Sequence, residues 1–350
     1  MNWMECLKQA VAQEASDLFF VAGGPVCEKL EGHICPMGEG KLTPEDTQQI
    51  VSEVYATAKR PMDQFLLHGD DDFSFSVPGL ARFRVNTYRQ RGSMAAVIRV
   101  VSFDIPDWQK LSIPQQVMDL ADITSGMVLF TGTAGSGKST TQACIIDRIN
   151  RSRDCHIVTL EDPIEYLHRH QRSIVSQREI SIDTEDYLSA LRSCLRQAPD
   201  VILLGEMRDA ETIRTAMTAA ETGHMVMATL HTKGTVNAVD RIIDAFPSTQ
   251  QTQIRVQLST ILRTVVSQQL LPDCNGDQVP AYEVMHMNNA IRSMIRDNKN
   301  HQIDNVITWG GKEGMVSMDQ SILALYRSGK ITRDTALAYA EHPEQLQRNM

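Results

Sequence analysis

The chain has 350 residues, a length typical of two ordinary domains, and a formal net charge of −9. Hydrophobic residues make up 42% and charged residues 22%, the balance of a globular protein and not of a disordered one. The acidic excess argues against a general affinity for nucleic acid or anionic lipid. Apolar runs are shorter than a membrane span requires, and the seven cysteines form no C-x-x-C pair. We therefore expect a protein of a reducing cytoplasm without a zinc cluster.

The first 101 residues predict a small N-terminal α+β domain. A helix is expected to begin at Thr43, because its first turn combines a cap hydroxyl, an early proline and two acids. From 73 to 101, apolar and polar residues alternate with a period of two, which indicates an antiparallel meander. The alternation puts Arg82 and Arg84 on one exposed face, where they form either a solvated surface or part of a site.

The remaining chain predicts a second, larger domain. Residues 102–114 contain two prolines and are expected to connect the domains, so that the second one spans 115–350. Within it, apolar strand-like runs alternate with helical patterns, which is the signature of a parallel α/β sheet. Further helices are predicted after Thr184, as a cap residue, and over 241–271.

Four of the apolar runs end in residues whose side chains or backbone could bind a ligand or take part in catalysis. They span 127–132, 156–162, 200–206 and 225–231. Because α/β sheets bind ligands outside the carboxyl ends of their strands, the residues that end these runs should converge on one crevice.

The first run leads into the pattern G-x-x-x-x-G-K-[ST] and then into a helical sequence. Strand, glycine loop and helix together are the context that phosphate binding needs. Glycines let successive N–H groups point inward, and the helix start adds unpaired donors and the positive end of its dipole. Lys138 can reach the β and γ phosphates, and Ser139 can offer its hydroxyl to Mg²⁺. The sequence therefore predicts a nucleoside triphosphate site formed by Gly132, Thr133, Ala134, Gly135, Ser136, Gly137, Lys138, Ser139 and Thr140.

The second and third runs end in carboxylates. Glu161, Asp162 and Glu165 could complete a Mg²⁺ shell at the phosphate loop, or they could form an acidic surface loop. Glu206 could orient the attacking water and take its proton, or it could merely pair with Arg208.

Two histidines bracket the fourth run. His231, at its end, could hydrogen-bond the γ-phosphate and report its loss, or it could be a satisfied polar residue. His224 lies just before the run and directly after a helix-ending glycine, where a capping role suits it equally well.

Together the motifs resemble those of a known family. GTAGSGKSTT, TLEDPIEYLH, ILLGEMRDAETI and TGHMVMATLHT are similar to the Walker A, Asp box, Walker B and His box of secretion-type motor ATPases, above all the type IV pilus retraction ATPases. The likeness covers nearly the whole chain and is weakest over residues 1–45. ARFRVNTYRQRG resembles the family's N-terminal sheet, and AIRSMIRD resembles its short helix associated with retraction.

This resemblance implies a PAS-like N-terminal domain and a RecA-like ATPase domain with a mostly parallel sheet. It implies a cytoplasmic homohexamer at the inner face of the cell membrane, where a pilus platform protein is its partner and nucleic acid is not. It further implies that ATP is hydrolysed with Mg²⁺ to disassemble pili. The implied roles are phosphate and metal binding for Lys138 and Ser139, metal-shell positions for Glu165 and Glu161, a general base for Glu206 and His-box positions for His231 and His224. The resemblance also implies nucleotide contacts from Arg82 and Arg84. Arg208, beside Glu206, is a further candidate for nucleotide binding.

The chain also departs from the family's usual pattern, at Thr133-Ala134 and in the segments FFVAGGPVCEKLEGH and HTKGTVNAV. Extension motors and type II secretion ATPases typically carry a longer N-terminal region and a four-cysteine insert, which the sequence does not show. The motifs are also compatible with a type IV secretion ATPase, a weakly hydrolysing regulatory paralogue or a nucleic-acid translocase. Intact Glu206 and Glu165 disfavour a pure scaffold, and the acidic charge disfavours a translocase.

Overall fold

A computed structural model describes residues 2–30, 32–101 and 105–350, which divide into two compact units. The first unit comprises Met1–Asp104 with Glu165–Leu167, and the second comprises Ile105–Ile164 with His168–Met350. The first three residues of the predicted connector, 102–104, lie outside the described residues. Its remaining residues belong to the second unit, where Ile113 is buried.

The first unit is built on an antiparallel sheet covered by helices. Its strands are β1 (Asp17–Phe20), β2 (Cys27–Leu30), β3 (His33–Pro36), β4 (Asp70–Val77), β5 (Ala81–Gln90) and β6 (Ser93–Val101), and its helices are α1 (Trp3–Ala12), α2 (Pro44–Ala58) and α3 (Asp63–His68). The strand order is β3-β2-β1-β6-β5-β4, and every adjacent pair is antiparallel. The predicted meander is confirmed as β4, β5 and β6.

The start of α2 is the one that the sequence predicts. The Thr43 hydroxyl accepts a hydrogen bond from the Asp46 N–H at 3.2 Å, and the Asp46 carboxylate accepts one from the Thr43 N–H at 2.7 Å. This reciprocal capping satisfies two donors that the helix itself leaves unpaired.

The second unit contains a mixed, mostly parallel sheet. Its strands are β7 (Gly126–Thr131), β8 (His156–Glu161), β9 (Ile174–Glu179), β10 (Val201–Leu204), β11 (Met225–Leu230), β12 (Leu262–Pro272) and β13 (Gln278–His286). Their order is β13-β12-β7-β11-β10-β8-β9, in which β12 and β13 are antiparallel and the remaining neighbours are parallel. The predicted α/β class is confirmed. The four predicted runs correspond to β7, β8, β10 and β11, which are neighbours, so their carboxyl ends lie at one edge.

Helices cover both faces of this sheet. They are α4 (Gln115–Met118), α5 (Lys138–Ser152), α6 (Tyr187–Cys194), α7 (Ala210–Glu221), α8 (Thr235–Asp244), α9 (Ser248–Ile261), α10 (Asn289–Arg296), α11 (Ile303–Trp309), α12 (Met318–Arg327), α13 (Arg333–Tyr339) and α14 (Pro343–Asn349). Along β7, Met127 and Leu129 pack into one apolar cluster, and Val128 and Phe130 into the cluster on the other face. Within the described residues, no helix has both the length and the apolar character needed to cross a bilayer.

Two local predictions were wrong. The helical pattern expected over 241–271 ends at Ile261, because the next eleven residues form β12. Most of that strand is buried, so its apolar residues do not alternate with polar ones as in a half-exposed strand. Helix α6 is capped not by Thr184 but by Asp186, whose carboxylate accepts a hydrogen bond from the Ser189 N–H at 2.7 Å.

Candidate nucleotide-binding site

The phosphate loop, residues 132–137, joins the end of β7 to the start of α5. Gly135 and Gly137 have φ values of 74° and 85°, the left-handed region that favours glycine. A Cβ on Gly132 would collide with the backbone carbonyl of Gln268, and one on Gly137 would lie 2.8 Å from the Gln268 side-chain nitrogen. The loop therefore has glycine where the backbone turns and where a neighbouring strand leaves no room for a side chain.

Lys138 is the first residue of α5 and is buried, with 6% of its surface exposed. Its ammonium donates to the carbonyl oxygens of Gly132 at 3.0 Å and Thr133 at 2.7 Å. Ser139 follows with an exposed side chain, and Thr140 is half-buried. The start of the helix thus combines a fixed positive charge, an accessible hydroxyl and the positive end of the helix dipole, which suits an anion such as phosphate.

Glu206 lies two residues beyond the end of β10 and is 8% exposed. One carboxylate oxygen accepts a hydrogen bond from the Arg208 guanidinium at 2.6 Å, and this bond raises the pKa of Arg208. The other oxygen lies 3.2 Å from Nε2 of His231, directly after β11. The structure therefore brings Glu206, Arg208 and His231 together at the carboxyl edge of the sheet.

Glu161 ends β8 at the same edge. Its Oε1 accepts hydrogen bonds from the Thr159 hydroxyl at 2.5 Å and from the Gln177 amide at 3.3 Å. Asp162 follows with an exposed side chain. These carboxylates provide the oxygen ligands that Mg²⁺ prefers.

Tyr187, at the start of α6, is a neighbour of these acids that the sequence analysis missed. The Tyr187 hydroxyl lies against Gly205, the residue before Glu206: a Cβ added to this glycine would be only 2.7 Å from the hydroxyl oxygen. Burial and the nearby charges of Glu206, Asp162 and Glu161 raise its pKa, so the phenol stays protonated at neutral pH. No local sequence pattern indicates that Tyr187 belongs to the site. It is the first residue of α6, outside the four strand-end motifs, and only the packing of that helix brings it to the acids.

Hydrogen bonds connect the phosphate loop to the segment that carries His231. The Thr131 hydroxyl, at the end of β7, lies 2.7 Å from the Thr232 hydroxyl and also donates to the Thr232 carbonyl. Deeper in the sheet, the Gln142 amide of α5 donates to the Thr229 hydroxyl of β11 at 3.1 Å. These contacts hold β7, α5 and β11 in one arrangement.

His224 does not join the constellation. It precedes β11, at the opposite edge of the sheet, and a six-residue strand is roughly 20 Å long. Its Nδ1 lies 2.9 Å from the Ala219 carbonyl and 3.1 Å from the Thr222 hydroxyl, at the carboxyl end of α7. The structure supports the capping interpretation of His224 and does not bring it to the phosphate loop of its own chain.

Three further predicted site residues belong to the first unit. Glu165 lies in the segment that groups with it, and Arg82 and Arg84 lie on β5. The Arg84 guanidinium donates to both carboxylate oxygens of Asp72, at 3.2 and 2.7 Å. The roles of these three residues toward a nucleotide stay predictions.

Comparison with known proteins identifies relatives over almost the full length. The family model of type II/IV secretion system proteins matches residues 2–294. The chain is 39% identical over 345 residues to the type IV pilus retraction ATPase PilT of Pseudomonas aeruginosa, covering 98% of this chain and 99% of that protein. It is 42% identical over 307 residues to a twitching motility protein of Neisseria gonorrhoeae, covering 87% and 82%.

A solved structure extends this likeness to the fold. The crystal structure of the pilus retraction motor PilT with bound ADP is 43% identical, covers 99% of each chain and superposes with a TM-score of 0.91. The resemblance inferred from the sequence motifs is confirmed. The chain belongs to the type II/IV secretion system protein family, together with the type IV pilus retraction ATPases.

Proposed function

We propose that this protein is an ATP-hydrolysing motor that drives the disassembly and retraction of type IV pili. The observation that carries the proposal is that the phosphate loop, which leads into Lys138, and the contacting pair Glu206 and His231 follow neighbouring parallel strands at one edge of the sheet. The chain is similar to PilT over 98% of its length. The related motor of known structure binds ADP, and the phosphate loop of this chain has the glycines, lysine and helix start that such a ligand needs.

In this proposal each residue has one task. The loop N–H groups and Lys138 bind the phosphates, and Glu206 orients the attacking water and accepts its proton. Arg208 and His231 hold the Glu206 carboxylate between them, at 2.6 and 3.2 Å, which fixes the direction in which it can receive that proton. Ser139 would hold Mg²⁺, and Glu165 and Glu161 are the carboxylates that we propose for its shell, directly or through water. When bound, the ion would neutralise charge on the phosphates.

The working unit that we propose is a homohexameric ring at the inner face of the cell membrane. A pilus platform protein in that membrane would be its partner, and the protein itself would be cytoplasmic. Relatives named for pilus retraction and twitching motility support the pilus system as the setting. The ring, its location and the platform partner are what the family resemblance implies.

Deleting the gene is the experiment that tests the function. We expect surface filaments that form but no longer shorten, observed by fluorescence microscopy of labelled pili. Expression of the intact protein should restore shortening, and expression of the Glu206→Gln variant should not. Loss of the filaments themselves in the deletion strain would contradict retraction and favour an assembly motor.

Arg84→Ala tests whether the first unit contributes to catalysis. If Arg84 approaches the phosphates, as the family resemblance implies, steady-state ATP turnover should fall by roughly tenfold or more. Asp72→Ala is the matched control, because it removes the other half of the ion pair and leaves the arginine in place. If Arg84→Ala turns over ATP at the wild-type rate, Arg84 is only part of a solvated surface and does not contribute to catalysis.

A further inference from the structure

Strand β12, which the sequence patterns did not reveal, runs beside β7 and then passes the phosphate loop. The strands are parallel, with Ser267 opposite Thr131, so Gln268 follows at the level where the loop begins. Gln268 is 3% exposed. Its backbone carbonyl lies against Gly132, and its side-chain nitrogen would lie 2.8 Å from a Cβ on Gly137. One buried residue therefore contacts the first and last glycines of the loop.

The side chain of Gln268 also reaches the helix that follows the loop. Its Oε1 accepts a hydrogen bond from the Thr141 hydroxyl, in the first turn of α5, at 2.9 Å. That hydroxyl lies 3.1 Å from the Tyr282 hydroxyl on β13, and Tyr282 is the register partner of Gln268. All three side chains are buried, so the network is shielded from water and its bonds are stronger than exposed ones.

The two ends of the Gln268 amide thus have different neighbours. The oxygen is used by Thr141, and the nitrogen faces Gly137. A leucine of similar size would fill the space but could neither accept from Thr141 nor present a donor beside the loop. A glutamate would keep the acceptor and replace the donor with a negatively charged oxygen.

We propose that Gln268 is a positioning residue for the phosphate loop. It holds both end glycines and the first turn of α5 in the arrangement that binds phosphate, and it keeps an uncharged donor beside the anion site. The inference rests on the proposed function only in taking a nucleotide phosphate as the ligand. A role in core packing alone would require no more than an apolar side chain of the same volume.

Gln268→Leu is the first variant, and Gln269→Leu is its matched control. Gln269 is the next residue on the same strand, is half-buried and points to the opposite face of the sheet. We expect Gln268→Leu to weaken ADP binding by roughly tenfold in calorimetric titration, since a buried hydrogen bond and its geometry are lost. The KM for ATP should rise by a similar factor while kcat changes less. The control should bind ADP as the wild type does.

Gln268→Glu and Thr141→Val separate positioning from folding. Gln268→Glu should also weaken ADP binding, because its charge repels phosphate although its oxygen still accepts from Thr141. Thr141→Val removes only the hydroxyl from the helix side, and a loss of about threefold in affinity is expected. It provides the test if Gln268→Leu does not fold.

Two outcomes would overturn the inference. One is wild-type ADP affinity in folded Gln268→Leu and Gln268→Glu. The other is an equal loss in Gln269→Leu, which would assign the effect to the strand and not to Gln268. The wild-type titration tests the proposed function separately. If the wild-type protein binds no ADP, the proposed nucleotide-binding function is wrong, and the role of Gln268 that rests on it is wrong too.

Discussion

Glu206→Gln is expected to leave nucleotide affinity intact while slowing ATP hydrolysis by roughly two orders of magnitude or more. Glutamine has nearly the same shape and can still accept the hydrogen bond from Arg208 that Glu206 receives at 2.6 Å. It cannot take a proton from water, which is the step we assign to the carboxylate. Binding should survive because the groups that hold phosphate, the loop and Lys138, belong to other segments. Steady-state turnover and ADP titration measure the two effects separately.

Glu211→Gln is the control for this substitution. Glu211 is an exposed residue of α7 whose carboxylate forms a 2.6 Å ion pair with Arg192. The variant makes the same chemical change and weakens an ion pair of the same type, so it should retain full turnover. If Glu206→Gln hydrolyses ATP at the wild-type rate, Glu206 is not the general base, and its bond to Arg208 is only structural.

The sequence predicts the carboxyl edge of the sheet well because local patterns determine it. Strands β7, β8, β10 and β11 are short apolar runs. Gly132 and His231 directly follow β7 and β11, Glu161 is the last residue of β8, and Glu206 lies two residues beyond β10. A parallel sheet places all such ends on one side, so residues far apart in sequence meet without any knowledge of tertiary contacts. The glycine loop adds a motif whose spacing is itself the signal.

What sequence patterns miss is determined by packing between elements. Gln268 reaches the phosphate loop only because β12 pairs with β7, and nothing near Gln268 in sequence shows that pairing. Tyr187 reaches the acids because Gly205 lacks a side chain at the point of contact. His224 is a residue that the motif includes but that the fold places away from the phosphate loop. It lies at the far end of β11, and its ring nitrogen contacts a carbonyl oxygen at the end of α7.

Lys138→Ala is expected to weaken nucleotide binding itself, in contrast to the change at Glu206. A hydrogen bond to a charged group is worth about 1.5–3 kcal/mol, which corresponds to a loss of affinity of roughly 10- to 150-fold for ADP. The ammonium also bonds to the carbonyls of Gly132 and Thr133, so its removal takes away the link between the loop and the helix start. Calorimetric titration with ADP measures the loss directly.

The control is Lys312→Ala, which removes the same charge and the same atoms from an exposed turn of the second unit. Because net charge changes equally in both variants, any difference in affinity reports the position of the ammonium and not the overall field of the protein. Affinity should be unchanged in Lys312→Ala. Unaltered affinity in Lys138→Ala as well would mean that the loop does not hold the phosphates. Compared with Glu206→Gln, these two variants separate two functions at the carboxyl edge of the sheet. Lys138 and the phosphate loop bind the nucleotide, and Glu206 takes part in its hydrolysis.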